Sequence, residues 1–204
     1  MATGGTAGAF VAAVLCLWAA GAGAKTVGKF WAFADAHFDE EYRKGGDPKL
    51  RCTAKANGTK GASEFGDFAC DTPAVMLQSA VGFMASVEPN ADFVLWAGDA
   101  TPHYEDAPYW EPYTPAMMLR AIEHTNAVLG SRFKRVYFTI GNHDTYPLEF
   151  LPPPEHGGTE WYVNVSTTLR HFAMPPEALA EFRYSGFFAA SPVPGLLVVS
   201  LNTM

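Results

Sequence analysis

Basic side chains are scarce in this chain. Its 204 residues include 14 Lys and Arg against 21 Asp and Glu, a net charge of −7. No broad positive surface is therefore expected for a nucleic-acid duplex or an anionic membrane, and any anionic substrate needs a local positive device. Cysteine is scarcer still, three residues in all, too few for a disulfide-dense scaffold. No apolar run reaches the length of a membrane-spanning helix. Charged residues make up only 17% of the chain and apolar ones 49%, which excludes a disordered tail and predicts a packed core.

The first 24 residues contain neither Lys nor Arg, but residues 9–20 form an unbroken apolar run followed by Gly21, Ala22, Gly23 and Ala24. That is the length of a signal-peptide core with a small-residue cleavage site, so residues 1–24 are expected to be a leader and the mature domain to span residues 25–204. Secretion or delivery to the lysosome follows. Cys16 leaves with the leader, and the two remaining cysteines, Cys52 and Cys70, are expected to pair in an oxidising compartment. Closing that Gly- and Lys-rich loop stabilises by about 3 kcal/mol on the chain-entropy estimate. Asn57 and Asn164 each open an N-glycosylation sequon.

Apolar runs at residues 30–34, 93–97 and 136–140 alternate with helical stretches. One helix is expected to open at Asp71, Thr72 and Pro73, with Met76, Ala80, Phe83, Met84 and Val87 facing a sheet. A second opens at Thr114 and Pro115 with the stripe Met118, Ile122, Thr125 and Leu129. Residues 146–158, with four prolines and two glycines, read as a loop, and a helix is expected over 159–172. Strands over 183–190 and 196–201 close the pattern. Strand and helix in alternation predict an α/β fold with buried, largely parallel strands.

Three of these strands run into residues that can hold a metal: Asp35 and His37, then Asp99, then Asn142, His143 and Asp144. Carboxyl ends of parallel strands open on one crevice, so these side chains should converge. Carboxylate and imidazole suit divalent ions such as zinc, and the two oxygens of Asp99 can bridge a pair. Such a pair clamps both the entering and leaving oxygens of a phosphoryl displacement. His124, His156 and His171 have no partner motif and read as packing or surface residues, and Asp39, Glu40 and Glu41 read as a solvated turn.

The order Asp35-x-His37, Gly98-Asp99-x-x-x-His103, Gly141-Asn142-His143-Asp144 resembles the calcineurin-like metallophosphoesterases, and within them the acid sphingomyelinase-like phosphodiesterases. The flanking text FGDFACDTP, WAGDATPH and SLNT strengthens the likeness, which runs over residues 29–204. The resemblance implies the N-terminal half of a two-sheet β-sandwich flanked by helices. It implies two divalent ions, zinc for preference: Asp35 and His37 on one, Asp99 bridging, Asn142 on the other. His143 would give a proton to the leaving oxygen, His103 would contact the phosphate oxygens, and Asp144 would orient the imidazole.

Pro102 stands where purple acid phosphatases carry a tyrosine, and Ala100-Thr101-Pro102 replaces the Asp-Arg-Gly of protein Ser/Thr phosphatases. The saposin domain of acid sphingomyelinase itself is not seen before the first strand. The expected substrate is a small-molecule phosphodiester, of nucleotide type or a phospholipid headgroup such as that of sphingomyelin. Aromatic residues over 104–113 could stack on a base or a choline group. The family adds a Gly-His and a Gly-His-x-His after the SLNT text, which this sequence does not show, so the domain is expected to be C-terminally incomplete. The face beneath the last strand should then be exposed and catalysis by this segment weak. The alternative is a non-catalytic secreted protein.

Overall fold

The computed structural model describes residues 28–54, 61–103 and 114–203, together with the backbone of residues 15–18. Asn57 and the aromatic loop over 104–113 lie outside the described residues, as does most of the expected leader.

Two three-stranded sheets make up the α/β architecture. In the first, β2 (Phe30–Phe33), β3 (Phe93–Trp96) and β4 (Val136–Phe138) run parallel in the order β2-β3-β4. Phe30 lies opposite Phe93 and Val94 opposite Val136. Every residue of β3 is buried, as expected of a central strand covered on both faces. The crossovers are α1 (Ala74–Val87) and α2 (Pro115–Gly130). Thr114 caps α2 by accepting the N–H of Met117 at 3.3 Å, with proline in the first turn where no amide partner is needed.

The expected stripe of α2 is the buried one: Met118, Ile122, Thr125 and Leu129 are all inaccessible. Of the face expected for α1, only Met84 is buried. Leu77, Val81 and Met84 point into the core, while Met76, Phe83 and Val87 are 48%, 64% and 56% exposed. Ala80 is exposed with them. This helix is apolar on two sides, so spacing alone does not select the one that packs.

The second sheet is antiparallel, in the order β1 (Leu15–Trp18), β6 (Leu196–Ser200), β5 (Phe188–Val193). Strands β5 (Phe188–Val193) and β6 (Leu196–Ser200) form a hairpin with a bulge between Ala190 and Val193. The strand expected over 183–190 starts later, because α4 (Pro176–Ser185) runs on until Gly186 adopts a left-handed conformation that ends it. Helix α3 (Thr159–Ser166) passes directly into a 3-10 turn over Thr167–His171, covering the expected helical stretch. Strand β1 (Leu15–Trp18) lies within the expected leader and pairs with β6, Leu15 opposite Val199.

Leu196 and Val198 of β6 are buried, and only Leu197 among its large apolar residues is exposed, at 38%. The last strand thus does not bare its apolar face, because the inner side joins the common core with Phe138, Phe182 and Phe188. The two sheets are also linked by polar bonds: the Ser200 hydroxyl lies 2.8 Å from that of Thr139 and 3.2 Å from the carbonyl of Phe138. Deeper still, the Trp96 indole donates to Asn126 at 2.9 Å, and the Asn126 amide donates to Thr168 at 2.9 Å. These buried polar groups are therefore matched.

Candidate metal and phosphate site

Parallel pairing brings the carboxyl ends of β2, β3 and β4 to one edge, and backbone bonds continue past the strands. Asp35 donates its N–H to Gly98 (3.0 Å), His37 to Asp99 (2.9 Å) and Phe38 to Ala100 (2.7 Å). Asp35, His37 and Asp99 all lie in the left-handed region, at φ 53°, 39° and 59°. Such torsions are costly for residues with a Cβ and gather at functional sites.

Two glycines allow the close approach. A Cβ on Gly98 would sit 2.3 Å from the Gly141 nitrogen, and one on Gly141 would sit 2.1 Å from Asp99 Oδ1. The glycine before each motif is thus demanded by backbone contact between the second and third motifs.

Beneath them lies Asp144, with no exposed surface. Its carboxylate accepts the backbone N–H of Asp99 (2.8 Å), Ala100 (2.9 Å), Thr101 (3.3 Å) and Gly141 (3.2 Å). Burial, and then the charge of Asp99, push this carboxyl up to about 7 against those bonds. Asp144 does not orient an imidazole as expected. It lies under the turn Asn142–Asp144, where both its oxygens meet backbone amides. The Trp161 indole donates to its carbonyl at 2.8 Å, tying α3 to the same turn.

The ligating atoms of Asp35, His37 and Asp99 lie within 4.8 Å of one another. His37 Nδ1 bonds the Thr101 carbonyl at 2.8 Å, so Nε2 is the nitrogen left to face a metal, and it stands 3.9 Å from Asp35 Oδ1. A metal-binding histidine is held in this way when its other nitrogen donates to a carbonyl. Burial, followed by neighbouring His103, lowers the His37 pKa and favours the neutral form that a metal requires. Asp99 Oδ1 accepts the N–H of His143 at 2.9 Å, which aims the carboxylate and leaves Oδ2 and a remaining lone pair for coordination. The donor set fits a divalent ion. Asn142 opens the turn, with its amide nitrogen 3.5 Å from Glu149.

Two further imidazoles complete the cluster. The His103 ring stacks on His37 with centroids 4.1 Å apart, and His143 meets both edge-on, at 5.0 Å from His37 and 4.6 Å from His103. His124 instead stacks on Phe38, and His171 pairs with Glu123 at 2.7 Å, away from the cluster.

Asp71 was not anticipated as a site residue. Its carboxylate accepts the His103 backbone N–H at 2.9 Å and lies 2.7 Å from His103 Nδ1. Its place just before Pro73 suggests a helix cap, but α1 has no side-chain cap. The signal was an acid next to Cys70, which is bonded to Cys52 with 5.9 Å between the Cα atoms. Asp39 departs from expectation too. It is only 2% exposed, accepting the Glu41 N–H at 2.8 Å while Oδ2 is buried without a partner, so it is no solvated turn residue. Asn164 sits half-buried on α3, with the sequon's Ser166 buried beside it.

Residues 28–188 match the Calcineurin-like phosphoesterase family, and the chain belongs to it. It is 32% identical over 183 residues to human acid sphingomyelinase-like phosphodiesterase 3b, covering 86% of this chain and 38% of that protein. It is 31% identical over 184 residues to sphingomyelinase phosphodiesterase C of Dictyostelium discoideum, covering 87% and 39%. The human cyclic GMP-AMP phosphodiesterase SMPDL3A is 30% identical over 182 residues, covering 87% and 38%. The chain thus spans about two fifths of the length of these curated relatives. Among the described residues no helix is long and apolar enough to cross a membrane.

Proposed function

We propose that this chain carries the N-terminal part of the active site of a secreted or lysosomal phosphodiesterase with two divalent ions, zinc for preference. The observation that supports this most directly is the gathering of Asp35, His37 and Asp99 beside His103 and His143 at the ends of three parallel strands. Asp35 and His37 would hold one ion, Asp99 would bridge, and Asn142 would serve the second. Bound there, divalent ions supply Lewis acidity to phosphoryl oxygens and lower the pKa of water.

The remaining chemistry belongs to the imidazoles. His143 donates a proton to the leaving oxygen, and its position is fixed through its backbone, whose N–H bonds Asp99 and whose carbonyl accepts from the Thr101 hydroxyl. His103 contacts the phosphate oxygens. The relatives' names, one a cyclic GMP-AMP phosphodiesterase and others sphingomyelinase-like, support a small phosphodiester or a phospholipid headgroup as the substrate class. Residues 1–24 are proposed to be the leader, with Asn57 and Asn164 as glycan acceptors.

Purified residues 25–204 should bind Zn2+, measured by elemental analysis after dialysis, and Asp99→Ala should abolish that binding. Hydrolysis of bis-p-nitrophenyl phosphate should be weak, because Asp99 and Asn142 give the second ion two protein ligands where about four are wanted. Zn2+ binding undiminished in the Asp99 variant would sink this reading.

A further inference from the structure

Asp71 is buried, at 7% exposed, and its backbone is pinned on both sides. Cys70 before it is bridged to Cys52, and Thr72 after it donates to the His37 carbonyl at 2.9 Å and accepts the Asp39 N–H at 3.0 Å. From this anchored position one carboxylate oxygen receives the backbone N–H of His103 and the other faces its Nδ1. A carboxylate is an acceptor only, so the proton of that ring bond is on Nδ1. Any substrate contact by the ring is then made through Nε2. The ring cannot turn without breaking the bond to Asp71 and its stack on His37.

We propose that Asp71 is the positioning residue for His103, fixing the tautomer and rotamer of a ring that meets the phosphoryl group. This rests on the reading of His103 as a phosphate contact. The arrangement has the logic of the Asp–His pair of serine proteases, where the acid sets which nitrogen faces the chemistry. Asp71→Asn provides the discriminating change. Its amide oxygen can still accept the backbone N–H, but the amide NH2 then faces Nδ1 and favours the opposite, Nε2-protonated tautomer.

The test is long-range 1H–15N spectroscopy of the histidine rings in the 204-residue chain at pH 7 in EDTA, with His103 assigned through His103→Gln. In the wild type His103 should be protonated at Nδ1. In Asp71→Asn it should change tautomer while His124 and His171 stay in place and report an intact fold, and Asp71→Glu should restore the Nδ1 proton in part. A wild-type His103 protonated at Nε2 alone overturns the inference without any variant, as does an unchanged ring in a folded Asp71→Asn.

A second arm titrates inorganic phosphate in the presence of Zn2+. Asp71→Asn should weaken binding roughly tenfold, the scale of one charge-assisted hydrogen bond. It should weaken it no further when His103 is already Gln. Additional loss in that background overturns the inference, since Asp71 would not be acting through His103. No phosphate binding by the wild type, or wild-type affinity in His103→Gln, instead defeats the reading of His103 and leaves the tautomer result standing.

Discussion

Asp144 accepts the backbone N–H of Asp99, and Asp99 in turn accepts the backbone N–H of His143, the residue adjacent to Asp144. The second and third motifs are thus one locked unit, and the Asp99 carboxylate is aimed by bonds made below it. Asp144→Ala leaves several amide donors without an acceptor in a site closed to water. It should destabilise by about 3 to 5 kcal/mol in urea denaturation and lower Zn2+ affinity in the fraction that folds.

Glycine at 141 is required by contact rather than by torsion. A methyl there meets Asp99 at 2.1 Å from Oδ1 and 2.4 Å from the backbone nitrogen. Gly141→Ala should therefore lose Zn2+ binding and about 2 to 4 kcal/mol of stability. Gly82→Ala on α1, where nothing lies within 4 Å, should be neutral or slightly stabilising in the same assay.

Asp39 and Asp71 carry opposite pH signatures. Burial raises Asp39 from 3.8 to about 6, so the folded state holds its proton where the unfolded chain releases it, and stability falls as pH rises across that window. Asp39→Asn should gain about 2 kcal/mol at pH 8, the shift being worth about 3 and the buried amide protons costing about 1. The gain should vanish near pH 4. For Asp71, burial raises the carboxyl but the bonds from His103 outweigh it and hold it below the usual range. That contribution is present above about pH 4 and lost as the pH falls through the lowered value, so Asp71→Asn should differ from the wild type mainly above pH 4. Denaturation curves at pH 3, 4, 6 and 8 in EDTA check both.

The Cys52–Cys70 bridge closes a segment with few buried apolar groups among the described residues. Its reduction should lower stability by about 3 kcal/mol, read as a shift in urea midpoint with and without dithiothreitol. It should also increase the mobility of the His103 ring, because Asp71 follows Cys70 directly.

The sequence made the sheet legible where apolar runs were continuous, as at β3, and made α2 legible because only one of its faces is apolar. At α1 the choice between Met76 and Leu77 as inward residues depends on the neighbour, which spacing does not contain. The candidate ligand positions stood out in the sequence because each follows a strand. Asp71 was not: local capping rules explain an acid before Pro73, whereas its partner His103 lies 32 residues away. The run Asp39, Glu40, Glu41 misleads for the same reason. Glu40 reaches Arg120 across 80 residues of sequence, and Asp39 is covered by the fold around it.

Left-handed torsions at Asp35, His37 and Asp99 set chemistry against folding at the same three codons. Glycine relaxes such torsions but carries no side chain with which to coordinate. Laboratory selection for heat tolerance alone should accumulate glycine at these three positions early, and isolates carrying it should show reduced Zn2+ binding.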